Sequence, residues 1–464
     1  MKDAMKKMTK SLEPLRGLDP LRTAMTAVPG RGAAAALCAG LCALFFAAAL
    51  VLCGGMEGAA AIAAVGALGV AILLAGAYFP LVKERVPVIL WLCVGLLAMA
   101  AVGAHLAMLD IKPGRYGKIL APLFENMNYY ELVTAMAWDE HAWSGGYLLV
   151  CALLSRLSDF SLLYAVKLFD LVCQCACAAA VARLAALRGA KTPGIIAGMM
   201  ACVLAPTMLF NAGLWAQCDA TFAMLTLWGL CLAVDDHPLA GSVLLGMAAA
   251  TKLQSAFVFP VLIVLFYNRK LQLRHFAVML AAFVALQAAI LLDGYTLAEL
   301  FGRYGLQIDM AAEEIGLADN APGVYGLMKV ASVREFSGMG RCFGLACALL
   351  VVLAMLRSRT EMTHDTLLLG ALLLAAGLPL VLPQMNTRCL YLAGMLAFAM
   401  AGTPRRMTAC ALLEVTSLCG YMKSVFNVEI LPIQALSLLA IGAACLIAYE
   451  LIDALRGQTR EARV

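Results

Sequence analysis

Apolar runs long enough to cross a bilayer recur from residue 33 almost to the end of this chain, and no other feature limits its possible folds so severely. Inside hydrocarbon every backbone N–H and C=O has to be bonded within the protein, so runs of about 20 apolar residues become helices packed into a bundle. The runs lie near 33–53, 58–82, 87–109, 160–187, 193–212, 220–235, 238–252, 254–268, 274–293, 339–357, 366–382, 388–401, 407–427 and 431–452. They predict an all-α polytopic membrane protein, a bundle of about 12–14 transmembrane helices. Composition agrees: 14% of the 464 residues are charged, against about 25% in soluble domains. A soluble domain with one anchor is excluded.

Lys and Arg cluster in alternate short loops: Lys2 to Arg31, Lys83 with Arg85, Arg183 to Lys191, Arg269 to Arg274, Arg357 with Arg359, Arg405 with Arg406, and Arg456 to Arg463. The positive-inside rule makes these ends cytoplasmic. Residues 1–32 are polar and basic, without a small-residue cleavage pattern, and read as a retained cytoplasmic tail. Asp235, Asp236 and His237 form an acidic exception among the basic loops, and the short apolar piece 146–157 is expected to be juxtamembrane or re-entrant. With this register the long polar loops 110–145 and 294–338 lie outside, as do the turns at 213–219, 252–254 and 383–388. The net charge of +5 is modest, and no basic run carries interleaved aromatics, so nucleic acid is not an expected partner. The 17 cysteines fall mostly inside apolar runs, without zinc spacing or a disulfide framework.

The unusual polar residues therefore converge on one membrane face. A transporter is expected to place ionisable groups near the midplane within matching repeats, whereas a one-sided cluster suits an enzyme. In the turn Trp215-Ala216-Gln217-Cys218-Asp219, the carboxylate of Asp219 is suited to a sugar hydroxyl or a divalent metal ion, or to capping the next helix. Lys252, followed by Gln254 and Pro260, is suited to holding a phosphate, or to snorkelling toward the headgroups. Arg388, in Leu382-Pro383-Gln384-Met385-Asn386-Thr387-Arg388, is suited to gripping a phosphate through two nitrogens, or to anchoring the chain at the interface. Asp110 directly follows a span, and Asp139, Glu140 and His141 stand near the far end of the same loop. A carboxylate there is a candidate general base for an acceptor hydroxyl, or ordinary solvated loop charge. Asn320 and Tyr325, in Asp319-Asn320-Ala321-Pro322-Gly323-Val324-Tyr325, form a turn able to present an amide and backbone donors to a sugar. His105, within a span, is expected to make an interhelical hydrogen bond.

Trp-x-Gln-Cys-Asp at 215–219, Lys-Leu-Gln with a later Pro at 252–260, Asn-Ala-Pro-x-x-Tyr at 320–325 and Leu-Pro-x-Met-x-x-Arg at 382–388 together resemble one known family. It is the bacterial membrane mannosyltransferase-like family related to the second mannosyltransferase of GPI-anchor assembly, within the GT-C superfamily. The resemblance runs from about residue 100 to 400 and includes Leu162 to Leu168. It implies a GT-C-like helical core with a large first outer loop, a polyprenyl-phosphate sugar donor, a glycan or glycolipid acceptor and an inverting displacement. By position it implies Asp110, and secondarily Asp139, as base or metal contact, with Mg or Mn as the divalent ion.

The chain departs from that family at several points. The usual Gly after Trp is Ala216, the second Asn of the outer-loop motif is Gly323, and a usual His-Glu-Arg-Tyr is Asn386-Thr387-Arg388-Cys389. Around Gly114-Arg115-Tyr116 and Pro122-Leu123 the family more often shows an Asp and a Pro-Trp pair. The expected organisation is a tail at 1–32, extra spans at 33–95, the GT-C-like core at 96–400 and C-terminal spans and tail at 401–464. The expected location is a bacterial plasma membrane with the site outside. A polysaccharide-lipid transporter or flippase and a noncatalytic scaffold are the alternatives.

Overall fold

The structure is a computed structural model that describes residues 19–113, 121, 144–157, 161–292, 294, 296–299, 301–302, 304, 317–319, 321–328, 333–358 and 362–461. It is an all-α polytopic membrane protein. The helices used below are α1 (Arg31–Leu52), α2 (Ala59–Lys83), α3 (Val88–Leu106), α4 (Gly145–Ser155), α5 (Leu162–Leu187), α6 (Thr192–Leu204), α7 (Asp219–Val234), α8 (Pro238–Thr251), α9 (Pro260–Tyr267) and α10 (Leu273–Leu286). They are followed by α11 (Val333–Leu356), α12 (His364–Val381), α13 (Tyr391–Met400), α14 (Pro404–Phe426) and α15 (Ile433–Glu461).

The apolar runs become helices where the sequence places them, but they are not equally long. Among the described residues eight helices have the length and apolarity to cross a membrane, and a ninth crossing is available if α6 and its continuation Pro206–Leu214, bent by 41° at Ala205, count as one. The other apolar helices are shorter. α7 has 16 residues and α8 has 14, so at 1.5 Å per residue α7 rises only about 24 Å, short of the ~30 Å hydrocarbon core. Of the expected spans, eight or nine are thus long, and six shorter apolar helices of 10–17 residues occupy further apolar runs among the described residues. α4, with 11 residues, is too short to cross and lies against α8: a Cβ at Gly146 would sit 2.7 Å from the Ala250 carbonyl oxygen. Small residues allow similarly close backbone approach elsewhere, as at Gly198, where a Cβ would meet Phe398 O at 2.6 Å.

One end of the bundle gathers the basic loops. There the acidic exception has a direct explanation, because Arg183 reaches Asp235 at 2.5 Å and Lys270 reaches Asp236 at 3.1 Å. Arg406 binds Asp365 through two 2.7 Å hydrogen bonds and Glu450 at 2.9 Å, tying α12, α14 and α15 together. The other end carries Asp110, the turn before α7, the break after α8 and the turn after α12. A parallel two-residue pairing joins Ala318–Asp319 to Met385–Asn386 at this end, so the second long loop and the last turn meet. His105 makes its interhelical hydrogen bond, 2.9 Å to Gln174 on α5.

Candidate functional site

α7 and α8 are joined by the tight turn at 235–237, and an antiparallel pair of such similar length returns the chain beside its starting point. The residue that begins α7, Asp219, therefore stands opposite the residue that follows α8, Lys252. Their side chains form an ion pair through Asp219 Oδ1. Asp219 is fully buried, while the Lys252 side chain is 17% exposed and lies 5.3 Å from the Phe222 ring centroid. The second oxygen, Asp219 Oδ2, accepts a 2.8 Å hydrogen bond from Asn211 Nδ2, which also lies 3.1 Å from the Tyr421 hydroxyl of α14. Asn211 belongs to a π-helical turn, Phe210–Leu214, a departure from regular helix that recurs at functional sites. Both carboxylate oxygens are thus bonded to side chains. The helix-cap reading of Asp219 is replaced by a buried ion pair, and Lys252 is paired rather than snorkelling.

Arg388 completes the cluster. Its guanidinium donates to Gln217 Oε1 and stacks 5.4 Å from the Trp215 ring centroid, while Trp215 meets Tyr421 edge-on at 5.5 Å. The turn that presents it is fixed from several sides: Asn386 Oδ1 accepts from Arg388 N at 3.1 Å, and Gln384 N donates to Leu317 O at 2.9 Å. Gln384 is buried with φ +64°, its side chain bonded to Ser337 and 3.4 Å from Arg341. A left-handed non-glycine backbone persists only where its surroundings over-determine it. Ala216 has φ +52°, a conformation that costs an L-residue about 1–2 kcal/mol and that glycine adopts freely.

The structure thus brings Asp219, Lys252, Trp215, Gln217 and Arg388 into one site, with Gln254 beside it at 3.9 Å from Cys389 Sγ. Among the described residues, it does not bring Asp110 or Tyr325 in. Asp110 is exposed and accepts a hydrogen bond from Tyr164, next to Lys167, whose ammonium donates to the carbonyls of Met108 and Ile111 at 2.5 and 2.6 Å. Tyr325 donates to Val381 O at 3.1 Å and fastens the outer loop to α12. Asp139 and Asn320 lie outside the described residues. Three members were missed from the sequence: Asn211, Tyr421 and Asp170. Asp170 on α5 is 1% exposed, close enough to Asp219 and Lys252 to feel both charges, and its Oδ2 has no hydrogen-bond partner among the described residues. The signal that could have found it is a carboxylate inside an apolar run, since intramembrane ionisable residues are rare and functional by default.

Burial pushes the Cys218 thiol, in the turn before α7, up to about 11, which favours the protonated thiol. Among the described residues no group of three or more His, Cys, Asp and Glu is placed to hold a metal. With both oxygens of Asp219 occupied and an ammonium on one of them, the donors described do not fit a divalent ion there. Against the site lies a cavity of about 450 Å³, walled by apolar groups including Leu253, Phe257, Leu345 and Leu382, with Gln254, Arg341, Gln384 and Asn386 along its polar side. The cavity is partly open to the surface, and Leu345 on its wall is 71% exposed. No protein-family model matches the chain, and no curated protein matches it.

Proposed function

We propose that the chain is an integral-membrane glycosyltransferase that moves a hexose of the mannose type from a polyprenyl-phosphate donor to a cell-envelope glycan or glycolipid on the non-cytoplasmic face. One observation carries the reading: a lateral apolar groove ends on the same short segments that bear the buried charges. Gln254 and Cys389 line the groove, and Lys252 and Arg388 stand two residues and one residue from them. A prenyl chain fits the apolar wall, which leaves its phosphate at the polar edge beside two cations. Membrane ligands of this kind are held by mostly apolar walls with a few placed polar groups.

In the proposed reaction the acceptor oxygen attacks the anomeric carbon, the bond from that carbon to the phosphate oxygen breaks, and polyprenyl phosphate leaves. Positive charge from Arg388 stabilises the phosphate as its charge grows. Asp219, held by Lys252 and Asn211, positions sugar hydroxyls. The acceptor proton goes to a carboxylate brought to the site from the first outer loop.

A lipid-linked-saccharide transporter is favoured by a different observation, the carboxylates inside spans: Asp170 on α5, and Glu414 on α14, which accepts from Thr207. The two readings separate in one experiment. Purified protein in proteoliposomes receives a panel of radiolabelled polyprenyl-phosphate sugars and a glycolipid extract, with and without a divalent ion. Label in a new glycosidic product supports the transferase, whereas label that crosses the bilayer without a new bond rejects it in favour of transport.

A further inference from the structure

At the basic end Arg183, Lys270, Arg405 and Arg406 hold carboxylates, and Arg188 holds backbone carbonyls. Arg269 and Arg274 hold neither among the described residues, and both stand on one cleft made by the turn from α9 to α10. The cleft has a volume of about 550 Å³ and is lined by Phe266, Arg269, Leu271, Gln272, Leu273 and Arg274, with no carboxylate among them. Asp236 is already engaged by Lys270, the residue after Arg269, at 3.1 Å. The cleft is held in shape by its own turn. Arg269 N donates to Phe266 O and Lys270 N to Leu265 O, each at 3.0 Å, which closes α9, and Gln272 N donates to His275 Nδ1 at 2.9 Å, which opens α10. Phe266 meets Phe276 edge-on at 5.9 Å, tying the two helices together.

The position of the cleft follows from α10. This helix packs on α8 with the Met279 carbonyl against Gly246, while Leu273, Ala277, Leu280 and Ala281 are exposed. That spacing is one helix stripe, which in a membrane faces the acyl chains, and Leu273, 75% exposed, stands at its end. The cleft therefore lies where lipid tails give way to headgroups. Arg274 is in the first turn of α10, where the helix dipole and the unbonded N–H groups favour an anion and disfavour a cation. An arginine kept there without a carboxylate makes the cleft more positive still.

We propose that this cleft binds an anionic glycerophospholipid of the leaflet at the basic end, its phosphate held by Arg269 and Arg274 and an acyl chain lying along the α10 stripe from Leu273. The guanidinium fork matches phosphate oxygens through two nitrogens. Phe266 and Leu273 add contacts that only a ligand with an apolar part can use, so the site takes a lipid and not free phosphate. It stands at the opposite end of the bundle from Asp219 and does not depend on what that site transfers.

The test titrates the full chain, delipidated in an uncharged detergent, with dioleoyl-phosphatidylglycerol or dioleoyl-phosphatidylcholine and follows bound lipid by native mass spectrometry. A single phosphatidylglycerol is expected to bind in preference to phosphatidylcholine. Arg269→Gln and Arg274→Gln each weaken it about fivefold, and the two together about thirtyfold. Arg269→Lys, which keeps the charge but loses the fork, weakens it less than Arg269→Gln. Arg357→Gln, which removes an exposed cation elsewhere at the same end, leaves it unchanged. Equal binding of the two lipids, full affinity in the double variant, or an equal loss in Arg357→Gln overturns the site. Displacement of the bound lipid by excess inorganic phosphate makes the ligand a free anion and overturns the assignment to lipid. If the double variant does not fold, as judged by its melting curve, the single substitutions decide.

Discussion

The two ends of the bundle use the same chemistry to different ends. At the basic end, Arg406 has two carboxylates on three good hydrogen bonds, Arg183 and Lys270 each have an aspartate, and Arg188 donates to Ala399 O at 2.6 Å. No buried side-chain oxygen there lacks a partner among the described residues. At the other end, Asp219 is fully buried and the Lys252 side chain is 17% exposed, and Asp170 Oδ2, Asn211 Oδ1 and the Tyr391 hydroxyl have no partner among the described residues. A buried polar group left unpaired is costly. Charge at the first end fastens helices together. At the second, buried polar atoms are left unpaired among the described residues, at a cost to the fold.

That contrast is breakable, and the largest effect is expected at Lys252. Lys252→Met leaves Asp219 as an uncompensated buried charge, and a stability loss of about 3–5 kcal/mol follows, read as a fall in the melting temperature of the lipid-reconstituted protein. A loss no greater than that of a surface pair would remove the distinction between the ends. Arg406→Met, at the fastening end, is expected to cost roughly 2–3 kcal/mol while leaving transfer per folded molecule within about twofold. A selective loss of kcat in folded Arg406→Met would place function at the wrong end.

Ala216→Gly relieves the left-handed strain, for a gain of up to about 1 kcal/mol. Thermal denaturation reads it directly, and a marked loss would mean that the Ala216 methyl contributes more by packing than its backbone costs. The smallest effect is expected for Arg183→Gln. Its pair with Asp235 is 49% and 28% exposed, so its removal costs under ~1 kcal/mol and less in high salt. A larger, salt-independent loss would show that this pair is a structural bond of the kind seen at Arg406.

The helices were legible because hydrocarbon admits few alternatives: the run expected at 238–252 is the helix Pro238–Thr251, and the one at 33–53 is Arg31–Leu52. Their lengths were less so, since hydropathy marks where a run is apolar but not how far it reaches across the bilayer. Asp219, Lys252 and Arg388 stood out because each interrupts an apolar sequence at a helix end. Their meeting depends on the α7–α8 hairpin and on the turn after α12, which are matters of packing. Sidedness placed Asp110 at the same end as Asp219, yet it resolves only the depth coordinate and not the lateral one, and the two carboxylates have different partners. Asp170 and Asn211 were hidden inside apolar runs, where their importance depends on which helix face they occupy.

The most direct test of the central claim is transfer of radiolabelled mannose from polyprenyl-phosphate mannose by reconstituted wild-type protein and by Asp219→Asn, each verified as folded by its melting curve. The account predicts label in a new glycolipid product with the wild type and its loss with Asp219→Asn, at unchanged membrane insertion. Equal turnover by the two proteins would contradict it and remove Asp219 from the site.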